Sequence, residues 1–189
     1  DEDVLAKARE AGDLLPLHGA AFLYGIDAIT ELLPKVKQVA TFDSSFHQSM
    51  KKEAFLYAIP LDQYEKHKIR RYGFHGTSHK YVAEEAAKML GYKGKFISCH
   101  LGGGASVTAI ENGRSVDTSM GFTPMAGMIM GTRCGDIDPY IPLHIMKTQN
   151  MTADEVNAML NKESGWYGLT RGYTDLRDIE EQYLEGNQD

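Results

Sequence analysis

The order of elements in this sequence predicts an α/β protein, and three observations carry that prediction. Apolar residues recur at helical spacing in two segments, residues 20–33 and 77–90. Between residues 95 and 118 the pattern changes to short runs of strand-forming residues. Those runs are separated by Gly102-Gly103-Gly104 and by Asn112-Gly113, both turn signals.

Taken in order, Ala20 to Leu33 places Phe22, Ile26, Ile29 and Leu33 on one helical face, and Pro34 stops the helix. Val36 to Phe42 reads as a short buried strand with Asp43 at its C-terminal end, the end where ligands sit in open α/β sheets. Leu61 to Ile69 is a weaker helix. Thr77 or Ser78 can cap a helix carrying Val82, Ala86, Met89 and Leu90 on one face, with Gly91 as its stop. Lys95–Leu101, Ala105–Glu111 and Arg114–Thr118 then form three strands in two successive hairpins. Rossmann and P-loop sites place their glycines between a strand and a helix, whereas these glycines join strand to strand. After a Gly- and Met-rich loop from Gly121 to Gly131, helices are expected at Pro139–Thr148, at a segment capped by Thr152 and Glu155 and ending near Asn161, and at Asp175–Tyr183.

The bulk numbers exclude several classes. The chain has 189 residues, 42% hydrophobic and 24% charged, ordinary values for a globular protein. A net charge of −6 leaves no basic footprint for nucleic acid or an anionic membrane. No apolar run approaches the roughly 18 residues of a membrane span. Cys99 and Cys134 form neither a disulfide framework nor a metal-ligand spacing, which fits a reducing cytoplasm. Walker A, His-Glu-x-x-His and Cys-x-x-Cys patterns are absent. The polar ends, Asp1-Glu2-Asp3 and Leu184 through Asp189, lack a first strand or closing helix and predict a fragment.

Four constellations can carry chemistry, and each has a plainer reading. Gly102, Gly103 and Gly104 after His100 can aim backbone N–H groups at a phosphate, or simply close a tight hairpin. In Arg71 to His79, an imidazole between Gly73 and Gly76 stands before a helix N-terminus, where it can meet an anion or cap the helix. Arg133 in Gly131-Thr132-Arg133-Cys134-Gly135 can supply a donor fork to a phosphoryl group, or staple its loop to Asp136 or Asp138. Asp43 can hold Mg²⁺ or act as a base, and can equally cap a helix.

Together these strings resemble the acetate kinase (acetokinase) family, in order and across nearly the whole chain. They are Thr41-Phe42-Asp43-Ser44-Ser45-Phe46-His47-Gln48, Arg71 to His79, His100 to Ser106, Asp117 to Pro124, Gly131-Thr132-Arg133 through Asp138-Pro139, Pro16-Leu17-His18 and Asp175 to Ile179. The resemblance implies an acetate and sugar kinase/Hsp70/actin-like (ribonuclease H-like) two-domain fold. It assigns residues 1–47 to the remainder of an N-terminal domain and 48–189 to most of a C-terminal nucleotide-binding domain. It implies reversible phosphoryl transfer between ATP and acetate, giving ADP and acetyl phosphate, with Mg²⁺ or Mn²⁺. Asp43, His75 and Arg133 would line the reacting centre. His100, Leu101 and Gly102 to Gly104 would lie near the nucleotide phosphates, and Asp175, Leu176 and Arg177 near the adenosine. Leu17, His18, Phe74 and Pro124 would wall the pocket for the acetyl group.

The sequence departs from the family pattern in three ways. Gly103 stands where many members have Asn. Pro16-Leu17-His18-Gly19-Ala20 replaces the usual Asn-Pro after the histidine. The family's N-terminal phosphate strand, an upstream substrate-binding Arg and the C-terminal Glu that ligates Mg²⁺ directly have no counterpart here, so the chain alone is expected to be weakly active or inactive. Rival readings are a propionate or butyrate kinase, a non-catalytic nucleotide-binding module, and a metal-dependent hydrolase built on the seven histidines. The full-length protein is expected to be a cytoplasmic homodimer that binds neither nucleic acid nor membrane.

Overall fold

A computed structural model describes residues 19–187 together with Asp3, Leu5, Ala6 and Arg9; side chains are described from Leu23 onward and at those four positions. The chain divides into two compact units, Asp1–Ala40 and Thr41–Asp189.

In the first unit, helix α1 spans Gly19–Leu32. Leu33 N–H donates to Ile29 O and Val36 N–H to Leu33 O, so the turn at Pro34 closes the helix. Arg9 pairs with Asp27 at 2.7 Å, an exposed contact of small energetic weight. The expected strand at 36–42 is not formed. Val36, Val39 and Phe42 are 55%, 90% and 46% exposed, and no ladder partner lies beside them among the described residues. β-branched residues favour a strand only where a neighbour can take up its N–H and C=O groups.

The second unit is built on a three-stranded antiparallel sheet: β1 (Lys95–Leu101), β2 (Ala105–Glu111) and β3 (Arg114–Thr118), in that order. Leu101 pairs with Ala105 across the glycine turn, and Asn112 and Gly113 both take positive φ, as a tight hairpin turn requires. A bulge interrupts the ladder at Ala109/Ile110. The same unit carries a short 3-10 helix (Ser45–Ser49), α2 (Lys52–Phe55), α3 (Asp62–His67), α4 (Gly76–Leu90), α5 (Tyr140–Gln149), α6 (Ala153–Lys162), α7 (Gly165–Thr170) and α8 (Leu176–Leu184); of these the 3-10 helix, α2 and α4 pack on the sheet. The 3-10 helix, α2 and α7 carry no sequence signal of the usual kind; the other helices match the expected segments to within a few residues.

Two expectations about α4 are corrected. Neither Thr77 nor Ser78 caps it. His75, in a left-handed conformation, precedes it, and Asp43 in a distant segment takes both first N–H groups, His75 N–H on its carboxylate at 2.7 Å and Gly76 N–H on its carbonyl at 2.8 Å. The buried face is also different: His79 and Ala83 are buried, whereas Val82, Met89 and Leu90 are exposed. A histidine one turn from an alanine carries little apolar signal, so the period pointed to the wrong stripe. The capping box at Thr152 and Glu155 forms as expected.

The core is small and partly polar. Ala105, Met120 and Met130 cluster with Phe74 and Met128 packed on them. His47, His79, Ser106, Thr108 and Ser115 are fully buried beside them, and each is hydrogen-bonded, as buried polar groups must be.

Candidate functional site

The glycine turn is framed by three segments that local forces bring to it. Gly102 N–H donates to Gly104 O and closes the turn. Gly131 N–H donates to Gly103 O, which anchors the Arg133 loop to its far side. That loop is held in turn by Trp166 N–H on Met130 O, Tyr167 N–H on Gly131 O and Ser164 N–H on Thr132 O. Gly165 makes the approach feasible: at φ +63 it lies where a Cβ would come within 2.1 Å of Met130 O. The histidine loop is fixed through Arg71, whose Nη1 donates to Thr118 O at 2.7 Å, while Tyr72 and Gly73 N–H groups donate to Gly121 O.

Asp43, His75, His100, Gly104, Arg133 and Pro124 therefore lie together. A Cβ placed on Gly104 would sit 3.3 Å from Arg133 Nη1 and 3.4 Å from His75 Nε2, so both groups flank the turn. The Arg133 guanidinium donates to Pro124 O at 3.0 Å. The staple to an aspartate is not made: Asp136 accepts Gly127 N–H and Asp138 accepts Tyr140 N–H. Among the described residues no carboxylate hydrogen-bonds to Arg133, whose Nη1 donates to Pro124 O and lies 3.8 Å from Met130 Sδ.

The imidazoles are ordered by serines. His75 Nδ1 meets Ser106 Oγ at 2.8 Å, and its ring stacks on His100 at 3.9 Å between centroids. His100 Nδ1 meets Ser78 Oγ at 2.9 Å. His47 Nε2–H donates to Phe74 O, and its Nδ1 accepts from Ser115 Oγ. Burial, more than neighbouring charge, lowers the pKa of His47 and His75, and it drives His79 down to about 4. All three are neutral imidazoles at neutral pH, so the Arg133 guanidinium faces neutral donors rather than further cations.

The remaining expected residues divide into three groups. Leu17 and His18 lie outside the described residues. Phe74 packs on the Ala105–Met120–Met130 cluster, and Leu101 is 71% exposed at the rim of the turn. Asp175, Leu176 and Arg177 make no direct contact with the histidines; Asp175 caps α8 and pairs with Arg177, which holds its carboxyl down to about 2. Thr174 O does approach Gly131, 3.5 Å from a Cβ placed there, so this segment starts beside the turn.

Sequence reasoning passed over His79, Ser98 and Ser106. A signal existed. Ser98 and His100 alternate along β1 and pair with Thr108 and Ser106 on β2, so four polar residues share one face of a sheet. His75 and His79 stand four apart across the start of α4, on the side facing them.

The comparisons with known proteins agree with one another. The model of the acetokinase family matches residues 1–189. Acetate kinase of Thermotoga maritima is 54% identical over 192 residues, covering 100% of this chain and 48% of that protein. Acetate kinase of Geobacillus kaustophilus is 54% identical over 190 residues, covering 99% and 48%. Among solved structures, a propionate kinase from Francisella tularensis superposes with a TM-score of 0.96 at 45% identity, over 99% of this chain and 49% of that one. Porphyromonas gingivalis acetate kinase gives 0.92 at 43% identity, over 100% and 48%. The chain spans about half the length of the curated relatives it matches. Its α/β fold is that of the acetate and propionate kinases over this span. On the strength of the full-length family match and of relatives identical at more than half of their aligned positions, this chain belongs to the acetokinase family.

Proposed function

We propose that this chain serves ATP-dependent phosphorylation of acetate, a reversible transfer of the γ-phosphoryl group to a carboxylate oxygen that gives ADP and acetyl phosphate. The observation that carries the reading is the pair of donors, His75 Nε2 and Arg133 Nη1, flanking a side-chain-free turn at Gly104. Acetate, with a pKa near about 4–5, is already ionised at neutral pH, so no general base is needed. What remains is to position two anions in line and to stabilise the charge spread over the equatorial oxygens in flight. Arg133 supplies the full charge and His75 a neutral donor. The backbone of Gly102 to Gly104, with His100 beside it, cradles the nucleotide phosphates, and Asp175, Leu176 and Arg177 flank the adenosine. Phe74 and Pro124 wall the acetyl methyl.

A divalent ion, Mg²⁺ or Mn²⁺, would neutralise the β- and γ-phosphate oxygens when bound. Asp43 fits an indirect role toward it. One carboxylate oxygen holds His75 N–H, the other makes no hydrogen bond among the described residues, and no group of three His, Cys, Asp or Glu residues stands ready to ligate a metal there. Asp43 is thus suited to orienting water on the ion rather than to holding it alone. Assignment of residues 1–47 and 48–189 to two domains, pairing as a homodimer and a cytoplasmic setting belong to the same proposal. No helix among the described residues is long and apolar enough to cross a membrane.

Hydroxylamine trapping tests the reading in the complete enzyme: with ATP, Mg²⁺ and acetate it should give acetyl hydroxamate that is lost when acetate is left out, whereas this chain alone should give little or none. A complete enzyme that neither forms hydroxamate nor shifts its melting temperature with nucleotide would overturn it. The propionate kinase neighbour supports a second reading, preference for a longer carboxylate. One methylene is worth only about 1–3 kcal/mol, so the ratio of kcat/KM on acetate, propionate and butyrate decides between them.

A further inference from the structure

Behind the glycine turn runs a chain of hydrogen bonds that is shut off from solvent at its inner end. Ser98 Oγ meets His79 Nδ1 at 2.9 Å, His79 Nε2 meets Ser106 Oγ at 2.8 Å, and Ser106 Oγ meets His75 Nδ1 at 2.8 Å. His79 and Ser106 are fully buried, and Ser98 is 6% exposed. Every link can run either way, because a hydroxyl and a neutral imidazole each both donate and accept. A neutral imidazole carries one N–H and a hydroxyl one O–H, so fixing the direction of one link fixes them all.

The inner end sets that direction. Among the described residues, His79 Nδ1 is the hydrogen-bond partner of the Ser98 hydroxyl and no other is present. A buried O–H without an acceptor is costly, more so than an unused lone pair on the same oxygen. Ser98 therefore donates, and His79 accepts at Nδ1. The single proton of His79 sits on Nε2 and goes to Ser106 Oγ. The Ser106 proton is then free for His75 Nδ1, and the proton of His75 is left on Nε2, the atom that faces Gly104 beside Arg133 Nη1.

We propose that Ser106 and His79, with Ser98 setting the polarity, are positioning residues that hold His75 in its Nε2–H tautomer, so that His75 presents a neutral N–H to an anion at the Gly102–Gly104 turn. The role of that N–H rests on the phosphoryl-transfer reading above; the tautomer itself does not. In the opposite arrangement His75 would turn a lone pair toward the oxygens of the phosphoryl group and repel them. No proton leaves or enters the chain of bonds, so its effect is one of orientation. Burial, which keeps His79 neutral, keeps the arrangement to one proton per ring.

The test is a two-bond ¹H–¹⁵N correlation spectrum of this chain labelled with ¹⁵N-histidine, without ligand and at about pH 7.5, above the ordinary histidine pKa. His75 and His79 should each show a single form with the proton on Nε2. Ser106→Ala should relax His75 toward the two-form mixture of free imidazole, whereas Ser106→Thr, which keeps the hydroxyl, should retain the single form. A proton on Nδ1 of either His75 or His79 in the unsubstituted chain overturns the proposal without recourse to any variant. So does a mixture at His75 in the unsubstituted chain, or a folded Ser106→Ala chain in which His75 is unchanged. Hydroxamate formation is read separately, in the complete enzyme: correct tautomers with no acetate-dependent product there would defeat the functional reading alone, and wrong tautomers beside an active complete enzyme would defeat this proposal alone.

Discussion

Single residues decide two outcomes. Arg133 brings a full positive charge to the turn, and its hydrogen-bond partners there are a carbonyl and a thioether. Replacing it with alanine in the complete enzyme should lower kcat by roughly 10²–10⁵-fold, with a smaller change in KM, because charge develops most strongly in the transition state. Steady-state rates at saturating ATP and acetate would check this. His79 governs the response to acid. Burial lowers its pKa to about 4 in the folded chain, from the ordinary 6.5 that it regains on unfolding. Between those values the unfolded chain binds the extra proton, so unfolding is favoured as pH falls. The stability is complete above pH 6.5 and is lost on the way down to about pH 4, by as much as about 3 kcal/mol. Urea midpoints at neutral and acid pH should show the fall, and a folded His79→Gln chain should show a smaller one.

At the scale of elements, two glycines that look alike in sequence behave differently. Gly165 begins α7 with positive φ, and a Cβ there would meet Met130 O at 2.1 Å. Gly165→Ala should cost about 1–3 kcal/mol for the backbone conformation alone, and more for the clash, which would pull the Arg133 loop from the turn. Gly103→Ala meets open space and should leave the melting temperature unchanged. Thermal melts of the two variants decide. The hairpins were fully legible, because Gly102-Gly103-Gly104 and Asn112-Gly113 are local turn signals whose flanking strands pair with each other. The cap of α4 was not, because Asp43 reaches it from 32 positions away, and Ser78, one of the two expected caps, spends its hydroxyl on His100. The 36–42 segment was misread because propensity says nothing about whether a partner strand is present. Within the site, Asp43, His75 and Arg133 stood out as glycine-flanked or loop-borne polar groups, but only the family resemblance, not their spacing, set them at one centre; the serines that order the imidazoles were not legible, since Ser98 and Ser106 look like ordinary strand residues until register sets them beside α4.

For the molecule as a whole, every residue expected at the reacting centre and the phosphates, from Asp43 to Arg177, falls within the unit Thr41–Asp189. A chain of residues 41–189 should therefore fold by itself and keep the histidine hydrogen bonds; cooperative unfolding with unchanged imidazole resonances would bear this out, and a loss of cooperativity would count against it. The sheet at its centre has a bare flank. β1 is the outermost strand on its side among the described residues, and Ile97 and Leu101 on its outward stripe are 69% and 71% exposed, with Cys99 between them. A row of open N–H and C=O groups beside exposed aliphatic side chains is a template for a further strand from another molecule. At the bench this means that light scattering by the isolated chain should climb with concentration. Reductant, which protects only the thiol, will not prevent it, whereas a lysine in place of Ile97 should.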